Sequence, residues 1–148
     1  TEGRFVQKNN MFPRVEITTT MGKIIVEMDR SKAPITVNNF LTYVMDGSYK
    51  GTVFHRVERD VENDRDFVIQ GGGYDKEYQF FFNMDNNDHL NPGKDWGFAV
   101  FGMVMEGYET LDKIMQVETG FNEKIGYDFV PKTPVVILNI TVLEPTPL

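Results

Sequence analysis

Arg56 stands in the run Phe54-His55-Arg56, and two further runs carry the side chains that would work with it: Phe67-Val68-Ile69-Gln70-Gly71-Gly72 and Gln79-Phe80-Phe81. Together they set one guanidinium among aromatic rings and amides. A guanidinium is always charged and presents a rigid fork of donors. No nucleophile, metal-ligand cluster or phosphate loop stands near these runs in the sequence. That set suits a reaction in which no covalent bond forms or breaks.

The elements that must position these residues read mostly as strands. Arg14 to Thr20 alternates Val15 and Ile17 against Glu16 and Thr18, the period of a half-buried strand. Met21-Gly22 turns the chain, and Lys23 to Met28 forms the partner strand. A helix begins at about Pro34, which has no amide hydrogen to lose in a first turn. Val37, Phe40, Leu41 and Val44 then share one buried face, and Gly47 stops the helix. Further strands are predicted at Val53 to Val57, Phe67 to Gln70, Phe80 to Asn83 and Ala99 to Val104. A second helix runs from about Tyr108 to Met115 with Leu111, Ile114 and Met115 inward. Val135 to Leu143 closes the series, alternating Val136, Leu138, Ile140 and Val142 on one face. Many short strands with two helices predict a mainly β fold, a closed barrel capped at its ends.

Composition bounds what such a fold can do. A chain of 148 residues fits one domain able to bury a sizeable core. The formal net charge of −7, with Lys and Arg scattered singly, argues against a nucleic-acid partner. The absence of cysteine removes disulfides, thiolate zinc sites and cysteine nucleophiles together. No apolar run approaches the roughly 20 residues that a membrane span requires, so no membrane partner is expected. Thr1 to Pro13 is polar, lacks a clear period and ends in proline, and reads as a surface extension. The expected division is therefore an N-terminal extension at 1–13 and one domain at 14–148.

The spelling FHRV, FVIQGG, QFFF and VFG, in that order, resembles the cyclophilin family of peptidyl-prolyl cis-trans isomerases. The resemblance covers nearly all of Arg14 to Leu143 and implies the closed antiparallel cyclophilin barrel capped by two helices. It implies rotation about X-Pro bonds in unfolded or flexible polypeptides, which assists folding, with no metal and no organic cofactor. Arg56, Gln70 and Phe81 match the family's catalytic group, Arg56 being the donor. His55, Phe67, Val68, Gln79, His89, Leu90 and Phe98 match its substrate-binding positions. Among these, Phe67, Val68 and Phe81 correspond to the walls and floor of the proline pocket, and Gln70 and Gln79 to amides that hold Arg and substrate backbone. His55 has no proton to move in an isomerisation and takes a mainly structural role. His89 stands where eukaryotic members with strong cyclosporin binding carry Trp, and Phe98 where many carry His. Weak binding of cyclosporin-type ligands is the expectation.

Two segments depart from the family pattern. Between Gly73 and Gln79 the family normally places a surface loop, a core strand and a turn that contacts the peptide, whereas this sequence holds only Gly73 to Tyr78. Loss of a barrel strand would expose edges and leave cavities costing several kcal/mol, out of a usual total of ~5–15 kcal/mol. Either this sequence omits residues there, which is the favoured reading, or the protein is a deleted or unusual variant with a rearranged site. Glu58 to Asp66 is the second departure, an acidic insertion with Arg59 and Arg65 interspersed, longer than the family's usual turn. It reads as a solvated loop whose place beside the pocket allows a part in substrate choice. Two other motifs are weak. Gly71-Gly72-Gly73 lacks the Gly-Lys-Ser/Thr of a phosphate loop. Asp85 to His89 lacks the Gly and terminal Glu of a calcium loop and reads as a solvated turn.

Three functions are compatible with these features. An isomerase is favoured by Arg56, and a proline-segment binding or chaperone module without useful turnover by the shortened middle. A barrel for a small apolar ligand draws only on the 12 Phe residues. The order of motifs and the closing PKTPVVILNITVLEP are most similar to bacterial members exported to the periplasm, and the missing initiator Met agrees. Cytoplasmic relatives are the alternative. Nothing in the sequence calls for an oligomer, and a monomer is expected.

Overall fold

The computed structural model describes residues 2–59, 67–78 and 102–145. In chain order they form strands β1 (Arg14–Thr19) and β2 (Gly22–Met28), helix α1 (Pro34–Met45), and strands β3 (Thr52–Arg59), β4 (Phe67–Asp75) and β5 (Gly102–Glu106). Helix α2 (Tyr108–Met115) and strands β6 (Thr119–Asn122), β7 (Tyr127–Pro131) and β8 (Ile137–Val142) follow. Among the described residues the chain is mainly β with two α-helices and a short 3-10 turn at Gly3–Phe5. The strand expected at Phe80 to Asn83, and residues 99–101 of the one expected at Ala99 to Val104, lie outside the described residues.

A four-stranded antiparallel sheet of order β5-β2-β1-β8 carries the core, and β3–β4 and β6–β7 form separate pairs. Val15, Ile24 and Met28 of the sheet meet Val37 and Leu41 of α1 and Ile114 of α2, all close to fully buried. The expected helical face holds, since Val37, Leu41 and Val44 are buried and Phe40 packs against the same cluster. Its end is also as expected, for Gly47 has φ 73° and donates to the Val44 carbonyl at 3.1 Å.

Two expectations are corrected. Among the described residues the sheets are open, and no closed barrel is present. Closure needs an unbroken ladder around the sheet. Between β3 and the approach to β8, however, pairing is a single bridge, Val53 with Val136, flanked by Phe54 donating to the Val135 carbonyl at 3.1 Å. The second correction concerns β8. Leu138 does not share the buried face of Ile140 but is 50% exposed, while Ile137 is buried. Thr18 pairs with Asn139 and Thr19 with Ile137, so Leu138 is the extra residue of a bulge and the alternation changes phase there.

The N-terminal segment is fastened by a buried arginine. Arg30 is 7% exposed, and its guanidinium donates to the carbonyls of Gly3, Val6, Gln7 and Asn10 and to Asn38 Oδ1 on α1, at 2.5–3.0 Å. Burial lowers its pKa from the ordinary value. Gly3 donates to Thr42 Oγ1 at 2.7 Å, and a Cβ there would lie 1.8 Å from the Asn38 carbonyl oxygen. Only glycine fits so close to the helix.

Candidate active site around Arg56

The antiparallel pair β3–β4 presents Arg56 through two irregularities in its ladder. Phe54 pairs with Gly71 and Arg56 with Gln70, so β3 holds one residue more than β4 around His55. Between Thr52 and Phe54 the excess is reversed, for Thr52 pairs with Asp75. Bulges bend a strand and re-aim its side chains. Here the first lies where β3 passes from buried Phe54 to the half-buried guanidinium of Arg56.

Gly71 of β4 lets the two strands come this close, and Gly72 makes room for the Tyr49 ring that precedes β3. A Cβ on Gly71 would lie 2.7 Å from Phe54 Cδ1 and 3.0 Å from the Val53 carbonyl oxygen. Gly72 has φ 92°, and a Cβ there would meet the Tyr49 ring at 2.8 Å. The Gly71-Gly72 pair is thus a packing requirement of the hairpin.

Arg56 is held from two directions. Its Nη1 donates to Oε1 of Gln70 across the ladder at 3.4 Å, a long bond. Its Nη2 donates to Oε2 of Glu58, two residues along the same strand. The Arg56 and Glu58 side chains are 36% and 34% exposed, so the ion pair is open to solvent on one side.

His55 packs between Tyr74 and Tyr127, with ring centroids 5.1 and 6.0 Å away. Its Nδ1 is buried and has no hydrogen-bond partner among the described residues. Burial, reinforced by the neighbouring Arg56 charge, pushes its pKa down to about 4. The imidazole is neutral at neutral pH and sits beside the guanidinium without adding charge. Burial and the adjacent Tyr127 hold the Tyr74 phenol above its ordinary pKa.

The expected site is therefore partly assembled among the described residues. Arg56, Gln70 and His55 come together on β3–β4. Phe67 and Val68 lie on β4 at the register positions of Arg59 and Glu58. Gln79, Phe81, His89, Leu90 and Phe98 lie outside the described residues, as do residues 60–66 of the acidic insertion and the Asp85 to His89 run. Three contributors escaped the sequence reading. Glu58 had a usable signal, since residues i and i+2 of a strand share a face. Tyr74 and Tyr127 had none, because Tyr127 reaches His55 only through the packing of β7 beside β3.

Comparison with known proteins decides the family. The family model described as cyclophilin type peptidyl-prolyl cis-trans isomerase matches residues 14–78 and 75–142. The chain belongs to this cyclophilin-type family. Among curated cyclophilin relatives, the isomerase cyp18 of Streptomyces antibioticus is 35% identical over 170 residues, covering 87% of this chain and 98% of the relative. Isomerase A of Dickeya dadantii is 34% identical, covering 88% of this chain and 84% of the relative. Isomerase B of Escherichia coli is 33% identical, with 88% and 99% covered. A crystal structure of a cyclophilin type isomerase from Cryptosporidium parvum superposes with a TM-score of 0.62 at 19% identity, covering 91% of this chain and 99% of that one, a likeness of fold. The two pieces of the family match meet at residues 75–78, where the sequence departs from the cyclophilin pattern between Gly73 and Gln79. The Streptomyces alignment runs over 170 residues, so that relative carries residues with no counterpart in these 148.

Proposed function

We propose that this cyclophilin catalyses cis-trans isomerisation of X-Pro peptide bonds in unfolded or flexible polypeptides, with Arg56 as the donor. The barrier to rotation, ~18–20 kcal/mol, comes from delocalisation of the nitrogen lone pair into the carbonyl. Uncatalysed isomerisation takes tens to hundreds of seconds. In the twisted state the lone pair returns to nitrogen, and a donor aimed at it lowers the barrier if it binds that state better than either planar isomer. The half-exposed guanidinium of Arg56, held from the side by Gln70 rather than covered, is the observation that carries this reading. In the family pattern Phe67, Val68 and Phe81 form the proline pocket, and Gln79, His89, Leu90 and Phe98 complete the binding surface. Another crystal structure of the Cryptosporidium parvum isomerase was determined in the presence of the dipeptide Ala-Pro, which agrees with a proline-containing substrate for the fold.

The isomerase unit is residues 14–148, with 1–13 as its extension. We place the protein in the periplasm on the similarity of its motif order to exported bacterial members, with the cytoplasm as the alternative that cell fractionation would separate. It acts as a monomer without a cofactor. A protease-coupled assay on Ala-Pro peptides tests the catalytic reading, which requires acceleration proportional to enzyme concentration. Binding of proline-containing peptides without acceleration would establish the second reading, a binding or chaperone module. The meeting of the two family-model matches at residues 75–78 favours that alternative.

A further inference from the structure

We propose that Glu58 is a positioning residue for the isomerase reaction, fixing the guanidinium of Arg56 in the orientation that serves the twisted peptide bond. This rests on the reading of Arg56 as the catalytic donor. Glu58 and Arg56 stand two residues apart on β3 and so share a face of the strand. The register puts Gln70 opposite Arg56 and Val68 opposite Glu58, which leaves the carboxylate to approach the guanidinium along the strand and the amide to approach it across. The two acceptors take different nitrogens, Nη2 for Glu58 and Nη1 for Gln70. A guanidinium on a flexible stem samples many rotamers unless its planar fork is engaged at more than one point.

The bond to Gln70 is long at 3.4 Å and restrains the fork only weakly. The charged bond to Glu58 supplies the second restraint and the stronger one. Neither bond uses the Nε–H, so the fork is steadied while donors remain for a substrate. Because the pair is about a third exposed, its contribution to overall stability is small, and its consequence falls on geometry. Misorientation of a donor costs rate more than ground-state binding.

The test measures kcat, KM and melting temperature for Glu58→Ala, Glu58→Gln, Arg56→Ala and the Arg56→Ala/Glu58→Ala double variant on one Ala-Pro peptide. Glu58→Ala should lower kcat about fivefold to tenfold with KM within about twofold of wild type and no fall in melting temperature. Glu58→Gln keeps an acceptor at the same reach and should recover most of the loss. In the Arg56→Ala background, Glu58→Ala should have no further effect. Unchanged or raised kcat in Glu58→Ala, with Arg56→Ala impaired, would overturn the positioning role while leaving Arg56 in place. A full additional loss in the double variant would overturn it equally, since Glu58 would then act without Arg56. Wild-type activity in Arg56→Ala would instead remove the donor itself, a failure distinct from either of these.

Discussion

Arg56 on β3 and Gln70 on β4 are register partners, and the Gln70 side-chain oxygen accepts from Arg56 Nη1 at 3.4 Å. The amide meets the guanidinium from the side while Glu58 takes Nη2, and the Nε–H is left for a substrate.

Arg56→Ala should lower kcat/KM for X-Pro peptides at least about tenfold, equivalent to about 1.4 kcal/mol or more of transition-state stabilisation. Peptide affinity and melting temperature should change far less. Arg56→Lys should restore little, because an ammonium offers no planar fork. Steady-state kinetics beside a binding titration checks all three.

The low pKa of His55 makes folding stability depend on pH. In the folded state the imidazole titrates at about 4, against 6.5 in its ordinary environment. Between these values the unfolded chain binds a proton that the folded chain does not. Stability is then complete above about pH 6.5 and falls as pH drops toward 4, by an amount on the order of 2–3 kcal/mol from this group. Urea titrations across the window should show that slope, and His55→Gln should flatten it.

Arg30→Ala should destabilise the fold by at least about 2 kcal/mol, because it strips partners from several carbonyls at once. Hydrogen exchange should rise first at residues 3–10, the segment whose carbonyls Arg30 collects. Arg30→Lys should rescue poorly, since one ammonium cannot reach acceptors spread over that arc.

His89→Trp should strengthen cyclosporin binding, since an indole adds apolar area and an N–H donor where the strongly binding family members carry Trp. The wild-type chain should bind the drug weakly. Calorimetric titration of both proteins measures the difference, and tight binding by wild type would count against this placement of His89.

The sequence by itself determined the elements whose signals are local. Pro34, Gly47 and the spacing of Val37, Leu41 and Val44 specify α1, and the alternation around Val15 and Ile17 specifies β1, because propensity and period act within a few residues. It also determined the family, since the order of short motifs survives in a linear string, and through that resemblance the expectation that Gln70 meets Arg56. Tertiary structure decided what depends on the ladder between distant segments. The bulge at Leu138 reverses an alternation that looked regular, and among the described residues only the Val53–Val136 bridge joins β3 to the approach to β8, where the strand count suggested a closed sheet. The same holds at the site. His55 had no readable environment until β7 brought Tyr127 beside β3, and the polar run before Pro13 gave no hint that Arg30 would gather its carbonyls. Burial and hydrogen-bond geometry are properties of contacts between segments far apart in the chain, and no local pattern encodes them.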